Sequence, residues 1–176
     1  MFIDAWSISL YQKLLEKHCQ TLERLEFTIP DRIVEPRRLA MPVFPKLKVL
    51  KVIWEQRKGA FFNDERFRAQ KMYGLILTFP AGENEYLNYA HNFPSLRSLT
   101  LLPPPNRFDQ VKVCSETFFP IEAGAQVCET LVHLEIPIQL HGPQILEMFP
   151  NVERVQEAMA WLGPIFHLQK EMMSLV

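Results

Sequence analysis

The sequence predicts an α/β solenoid of stacked units, with parallel strands forming one layer and helices the other. Three observations predict it. One nine-residue phrase recurs along the chain, its copies are spaced by a repeat-sized step, and segments with helical periodicity precede most copies. The phrase reads Cys19-Gln-Thr-Leu-Glu-Arg-Leu-Glu-Phe27, then Phe44-Pro-Lys-Leu-Lys-Val-Leu-Lys-Val52, Phe93-Pro-Ser-Leu-Arg-Ser-Leu-Thr-Leu101 and Cys128-Glu-Thr-Leu-Val-His-Leu-Glu-Ile136. A shorter copy, Phe149-Pro-Asn-Val-Glu-Arg-Val155, closes the series.

Each copy places an apolar residue three positions after its Cys or Phe and another three positions later. The full copies add a third after two more. The first anchors are Leu22, Leu47, Leu96, Leu131 and Val152. The gap from Leu47 to Leu96 is close to twice the first step, so a further unit is expected there, with Tyr73–Phe79 as its strand. Counted that way the units average about 26 residues, inside the roughly 20–29 of leucine-rich repeats. The phrase is the strand signature of that repeat class. About six irregular units in a single domain, residues 1–176, are therefore expected, more than the three or so such an array needs to bury its faces.

Helical spacing is read over Asp4–His18, where Ile8, Tyr11, Leu14 and Leu15 share a face. Weaker patterns cover Asp64–Met72, Glu83–His91, Pro120–Cys128 and Gly142–Met148. In the strands, alternation sends Leu25, Phe27, Leu50, Val52, Leu99, Leu101, Leu134 and Ile136 inward. Their neighbours Arg24, Glu26, Thr28, Val49, Lys51, Ser98, Thr100, His133 and Glu135 are then expected on an open, concave face. Ile76 and Thr78 would join them from the third strand. Pro30–Pro45 and Leu102–Arg107 read as proline-stiffened connectors. The basic stretch Gln56–Ala69 reads either as a solvated crossover or as a binding insertion. Residues 156–176 break the rhythm and read as a helical cap or the opening of a further repeat.

Composition bounds the function. Hydrophobic residues make up 48% of 176 and charged residues 22%, a globular balance that excludes disorder. The net charge of −1 gives the whole chain no preference for nucleic acid or anionic membrane. Arg37-Arg38 and Lys46, Lys48 and Lys51 form the densest basic group, but Glu23, Glu26 and Glu35 dilute it. No apolar run reaches the 18 or so residues of a membrane span, and the N-terminus lacks the form of a signal peptide. Cys19, Cys114 and Cys128 are odd in number and far apart, which suits neither a disulfide framework nor a zinc site. Cys19 and Cys128 stand where other copies have Phe, so they read as packing residues in a reduced setting, cytoplasmic or nuclear.

Neither a glycine-rich phosphate loop nor a nucleophile elbow occurs, and no cofactor or metal site is expected. His133 and Glu135 share the open face and form the one pair that a base and its orienter would use. Without a nucleophile fixed nearby, binding-surface polarity is the favoured reading and hydrolysis the alternative.

The phrase, with its short preceding helix, resembles the repeats of F-box/LRR proteins over about residues 5–155. The resemblance implies a horseshoe that captures substrates for a cullin-type ubiquitin ligase, while a separate F-box docks the Skp adaptor. A Leu-Pro start with paired helices, the mark of an F-box, is not seen in these 176 residues. The expected function is thus a protein-interaction module, the substrate-recognition part of such an adaptor, with a free-standing repeat scaffold as the alternative.

Overall fold

A computed structural model describes residues 8–29, 37–54, 75–79, 87–102, 108–119, 127–137 and 143–158. The order is α1 (Ile8–His18), β1 (Arg24–Ile29), β2 (Arg37–Ala40), β3 (Val49–Trp54), β4 (Leu75–Thr78), α2 (Tyr89–Asn92), β5 (Ser98–Leu102), α3 (Phe108–Phe118), β6 (His133–Pro137), α4 (Pro143–Met148) and β7 (Arg154–Ala158). The chain is α/β. Five strands form one parallel sheet in the order β1-β3-β5-β6-β7, and β2 and β4 form a separate parallel pair.

The phrase encodes a turn followed by a strand. In its Phe-Pro-x-Leu form the N–H of Leu47 donates to Phe44 O at 3.3 Å, Leu96 to Phe93 at 3.1 Å, and Val152 to Phe149 at 3.2 Å. Proline at the second position fixes the φ this turn requires. At Cys19 the turn is the end of α1, where Thr21 and Leu22 N–H both donate to His18 O.

The strands start from a second recurring arrangement, in which one carbonyl receives two successive N–H groups from the next copy. Lys48 and Val49 donate to Glu23 O, Arg97 and Ser98 to Lys48 O, Val132 and His133 to Arg97 O, and Glu153 and Arg154 to Val132 O. This sets the register Leu25↔Leu50↔Leu99↔Leu134↔Val155 across the whole sheet. All eight residues expected to point inward are buried. Side chains at the third position of the phrase also tie copy to copy. Ser95 Oγ donates to Pro45 O at 2.7 Å, and Asn151 Nδ2 to Glu129 O at 2.8 Å.

Several expectations are corrected. The strand within 73–79 exists as β4, but it pairs with β2 rather than joining the main sheet. The long step from Leu47 to Leu96 is thus one enlarged unit, because β3 pairs directly with β5. Ile76 and Thr78 leave the open face accordingly. The proline-rich connector 30–45 contains β2, whose Ala40 N–H is held by Gln12 Oε1 of α1 at 2.9 Å. The structure adds a helix that the sequence reading did not anticipate, α3. Residues 127 and 128 of the expected Pro120–Cys128 helix are not helical, and 120–126 lie outside the described residues. So do Asp64–Met72, the whole Gln56–Ala69 stretch and 159–176, while 156–158 belong to β7.

Aromatic rings knit the second sheet and the helices to the phrase. Phe44 and Phe93 stack at 5.9 Å. Phe79, just after β4, packs edge-on against Phe93 and against Phe118 of α3. Trp54 meets Phe118 edge-on at 6.4 Å. Where Cys128 replaces Phe, the ring of Tyr89 lies between Phe93 and Phe149, 5.2 Å from the latter. Its hydroxyl donates to Phe118 O at 2.8 Å. All three cysteines are free and buried.

This packing yields two expectations. Restoring the consensus ring with Cys128→Phe forces it against Tyr89, and overpacking of that kind costs roughly 1–3 kcal/mol. Urea unfolding followed by tryptophan fluorescence measures the loss, and an unchanged midpoint would refute this account of the core. The second concerns alkaline pH. Burial pushes the Tyr89 hydroxyl well above its ordinary 10.0, helped by nearby Cys128 and Cys114, and burial raises the Cys114 thiol above 9.0. Both groups keep their protons when folded and release them when unfolded. Their stabilising contribution is therefore complete below about pH 9 and declines as pH rises. Each group adds a slope of about 1.4 kcal/mol per pH unit, the thiol first and the phenol from about pH 10. Cys114→Ala should delay the decline to the tyrosine onset in unfolding measured from pH 8 to 11.

Candidate interaction surface

One face of the five-stranded sheet is packed against the core, and the alternation of each strand turns every second residue to the other face. β1 and β3 alternate strictly in burial and β6 does so as far as Ile136, with Arg24, Glu26 and Thr28, then Val49, Lys51 and Ile53, then His133 and Glu135 as the less buried set. Register aligns them in rows across the strands. The first row is Arg24, Val49, Ser98, His133 and Arg154. The second is Glu26, Lys51, Thr100, Glu135 and Gln156. A third begins Thr28, Ile53 and Leu102. All nine residues named from the sequence thus fall in three adjacent rows on one sheet face. Strands lie about 4.8 Å apart and rows about 6.6 Å apart, so the face is a regular grid.

The two halves of the grid differ electrostatically. On β1 and β3 the charges satisfy one another: Glu26 is 3.6 Å from Arg24 and 3.4 Å from Lys51, while Lys48 Nζ donates to Glu23 at 2.9 Å. Among the described residues His133, Glu135 and Arg154 have no ion-pair partner. Glu135 instead accepts a hydrogen bond from Thr100 Oγ1 at 3.2 Å. Thr100 is itself buried, at 6% exposure, because it sits mid-sheet between the longer Lys51 and Glu135. The small residues Val49, Ser98 and Thr100 make the centre of the grid shallower than its flanks.

Sequence reasoning missed four members of this face, Arg154, Gln156, Ile53 and Leu102. Arg154 stands in the short fifth copy where Arg24 and His133 stand in theirs, so aligning the copies was signal enough. Ile53 and Leu102 lie beyond the phrase, on strand residues that the leucine pattern does not mark. His133 and Glu135 share a face as expected, yet among the described residues no hydrogen bond joins their side chains. His18 and His91 occupy the last turns of α1 and α2, favourable places for a cation.

Among the described residues no helix is long and apolar enough to cross a membrane. Compared with protein families, curated proteins and solved structures, the chain matches none.

The exposed pairs on β1 and β3 contribute little to folding, since such pairs are typically worth under about 1 kcal/mol. Glu26→Gln should leave the urea midpoint nearly unchanged. A large loss would mean that this face is part of the folded core rather than a free surface.

Proposed function

We propose that the chain is a leucine-rich-repeat solenoid whose open sheet face is the concave wall of a horseshoe and holds a protein partner. The observation that carries this is the contrast between scaffold and grid. The strands start from the same main-chain bonding in copy after copy, yet the exposed positions differ: arginine, valine, serine, histidine and arginine along one row. A surface built on a fixed grid with varied side chains suits recognition of a shaped partner.

The resemblance of the phrase to F-box/LRR proteins narrows the role to the substrate-recognition part of a cullin-type ubiquitin ligase adaptor. Three free, buried cysteines suit a reducing compartment, cytoplasm or nucleus. We read the chain as a binding protein rather than an enzyme, with Glu135 engaged by Thr100 rather than by His133.

Affinity purification of the tagged chain from cells tests the proposal. The expected result is a retained protein that is lost on Lys51→Glu combined with Glu135→Lys, in a variant whose circular dichroism is unchanged. Co-recovery of a Skp-type adaptor and a cullin supports the ligase role, whereas a partner without them identifies a free-standing scaffold. Recovery of no protein, or equal recovery with the variant, overturns the interaction reading.

A further inference from the structure

Resting on that reading, we infer that the partner is held as an extended peptide lying along β6, flanked by β5 and β7. On the side facing the sheet it presents an acid, a base and a large apolar residue at alternate positions. The argument is charge complementarity on the grid. Paired charges attract a charged partner less, because each largely neutralises its neighbour's field. On β1 and β3 the arrangement Arg24–Glu26–Lys51 is already closed. The charged groups free for recognition lie on the other half. His133 and Arg154 are in register in the first row, without an ion-pair partner among the described residues. Among the described residues Glu135, in the second row, is held by the neutral Thr100 hydroxyl and by no cation. Leu102 of β5 and its register neighbour Ile53 of β3 stand in the third row and are only half-buried, an apolar spot toward the far end of the sheet face.

Going along the strands, the face therefore reads cationic, anionic, apolar, in steps of about 6.6 Å. An extended peptide has the same period, because alternate side chains point to one side with that spacing. Its complementary pattern is acid, any residue, base, any residue, large apolar. The shallow centre at Ser98 and Thr100 lets the peptide approach between the longer flanking side chains. Opposite charges set the register, and the apolar contact adds buried area at one end.

Selection of a displayed library of random twelve-residue peptides on the folded full-length chain tests this. Wild type should enrich acid-x-base-x-apolar, in either chain direction. The double variant Glu135→Lys with Arg154→Glu should select peptides with acid and base exchanged. It should also bind the wild-type-selected peptide about tenfold more weakly, by fluorescence polarisation. Leu102→Ser should lose the apolar preference and keep the charge order. Enrichment of an unrelated pattern, or the same pattern from wild type and the exchange variant, overturns the inference. The wider reading survives that result if cellular purification still yields a partner dependent on the open face. Failure to select any peptide while purification yields such a partner overturns the peptide mode alone.

Discussion

The structure depends on one carbonyl per copy. Glu23, Lys48, Arg97 and Val132 each accept two successive N–H groups from the next copy, just before its strand begins. That bond pair fixes where each strand starts relative to its neighbour. In a sheet with one buried face a slip of one residue would exchange the buried and exposed sets. Correct register keeps Leu25, Leu50, Leu99 and Leu134 in a single buried row, each worth roughly 1.5–3 kcal/mol on burial. The preceding turn, with proline at its second position in three copies, delivers the chain to that carbonyl at a set angle. Core and surface alike follow from this junction.

The junction also explains how uneven spacing is tolerated. Because β3 pairs directly with β5, the long intervening segment is free to do something else, and part of it forms β4 against β2. The second sheet is tied to the junction through aromatic rings, with Phe79 against Phe93 and Phe118 against both Phe79 and Trp54. The same rings absorb the substitution of Cys for Phe at position 128, where Tyr89 takes the volume and finds an acceptor in Phe118 O. A buried tyrosine without that acceptor would leave its hydroxyl unpaired at a cost of about 1–3 kcal/mol.

The main sheet was legible in the sequence because its signal is local. Leucines at fixed spacing announce both the turn and the inward row, and every inward residue read from them is buried. The elements missed depend on partners distant in sequence. β2 is a strand only because β4 and Gln12 satisfy its backbone, and its own Arg37-Arg38 start gives no alternating pattern. α3 follows a proline triplet and carries its buried Cys114 and Phe118 within a polar run, so its face emerges only when packed. On the open face the grid was foreseen, while its charge balance was not. That Glu26 serves two cations while Glu135, among the described residues, serves none is a matter of reach across strands, which spacing alone does not encode.

Not every spacer in the phrase is free to vary for recognition. Third-position side chains such as Ser95 and Asn151 are spent on the neighbouring copy's carbonyl, and Lys48 is spent on Glu23. What remains is the alternate set within the strands, and even there Thr100 is buried and bonded. Among the described residues the unspent charge collects on β6 and β7, with half-buried Leu102 beside it on β5. A binding surface is defined by what the fold leaves unsatisfied, and here the scaffold consumes one half of its own face. Sequence change at His133, Glu135, Arg154 or Leu102 alters what is presented without touching the junction that holds the sheet. Change at Glu26 or Lys51 must first replace a contact that the chain makes with itself.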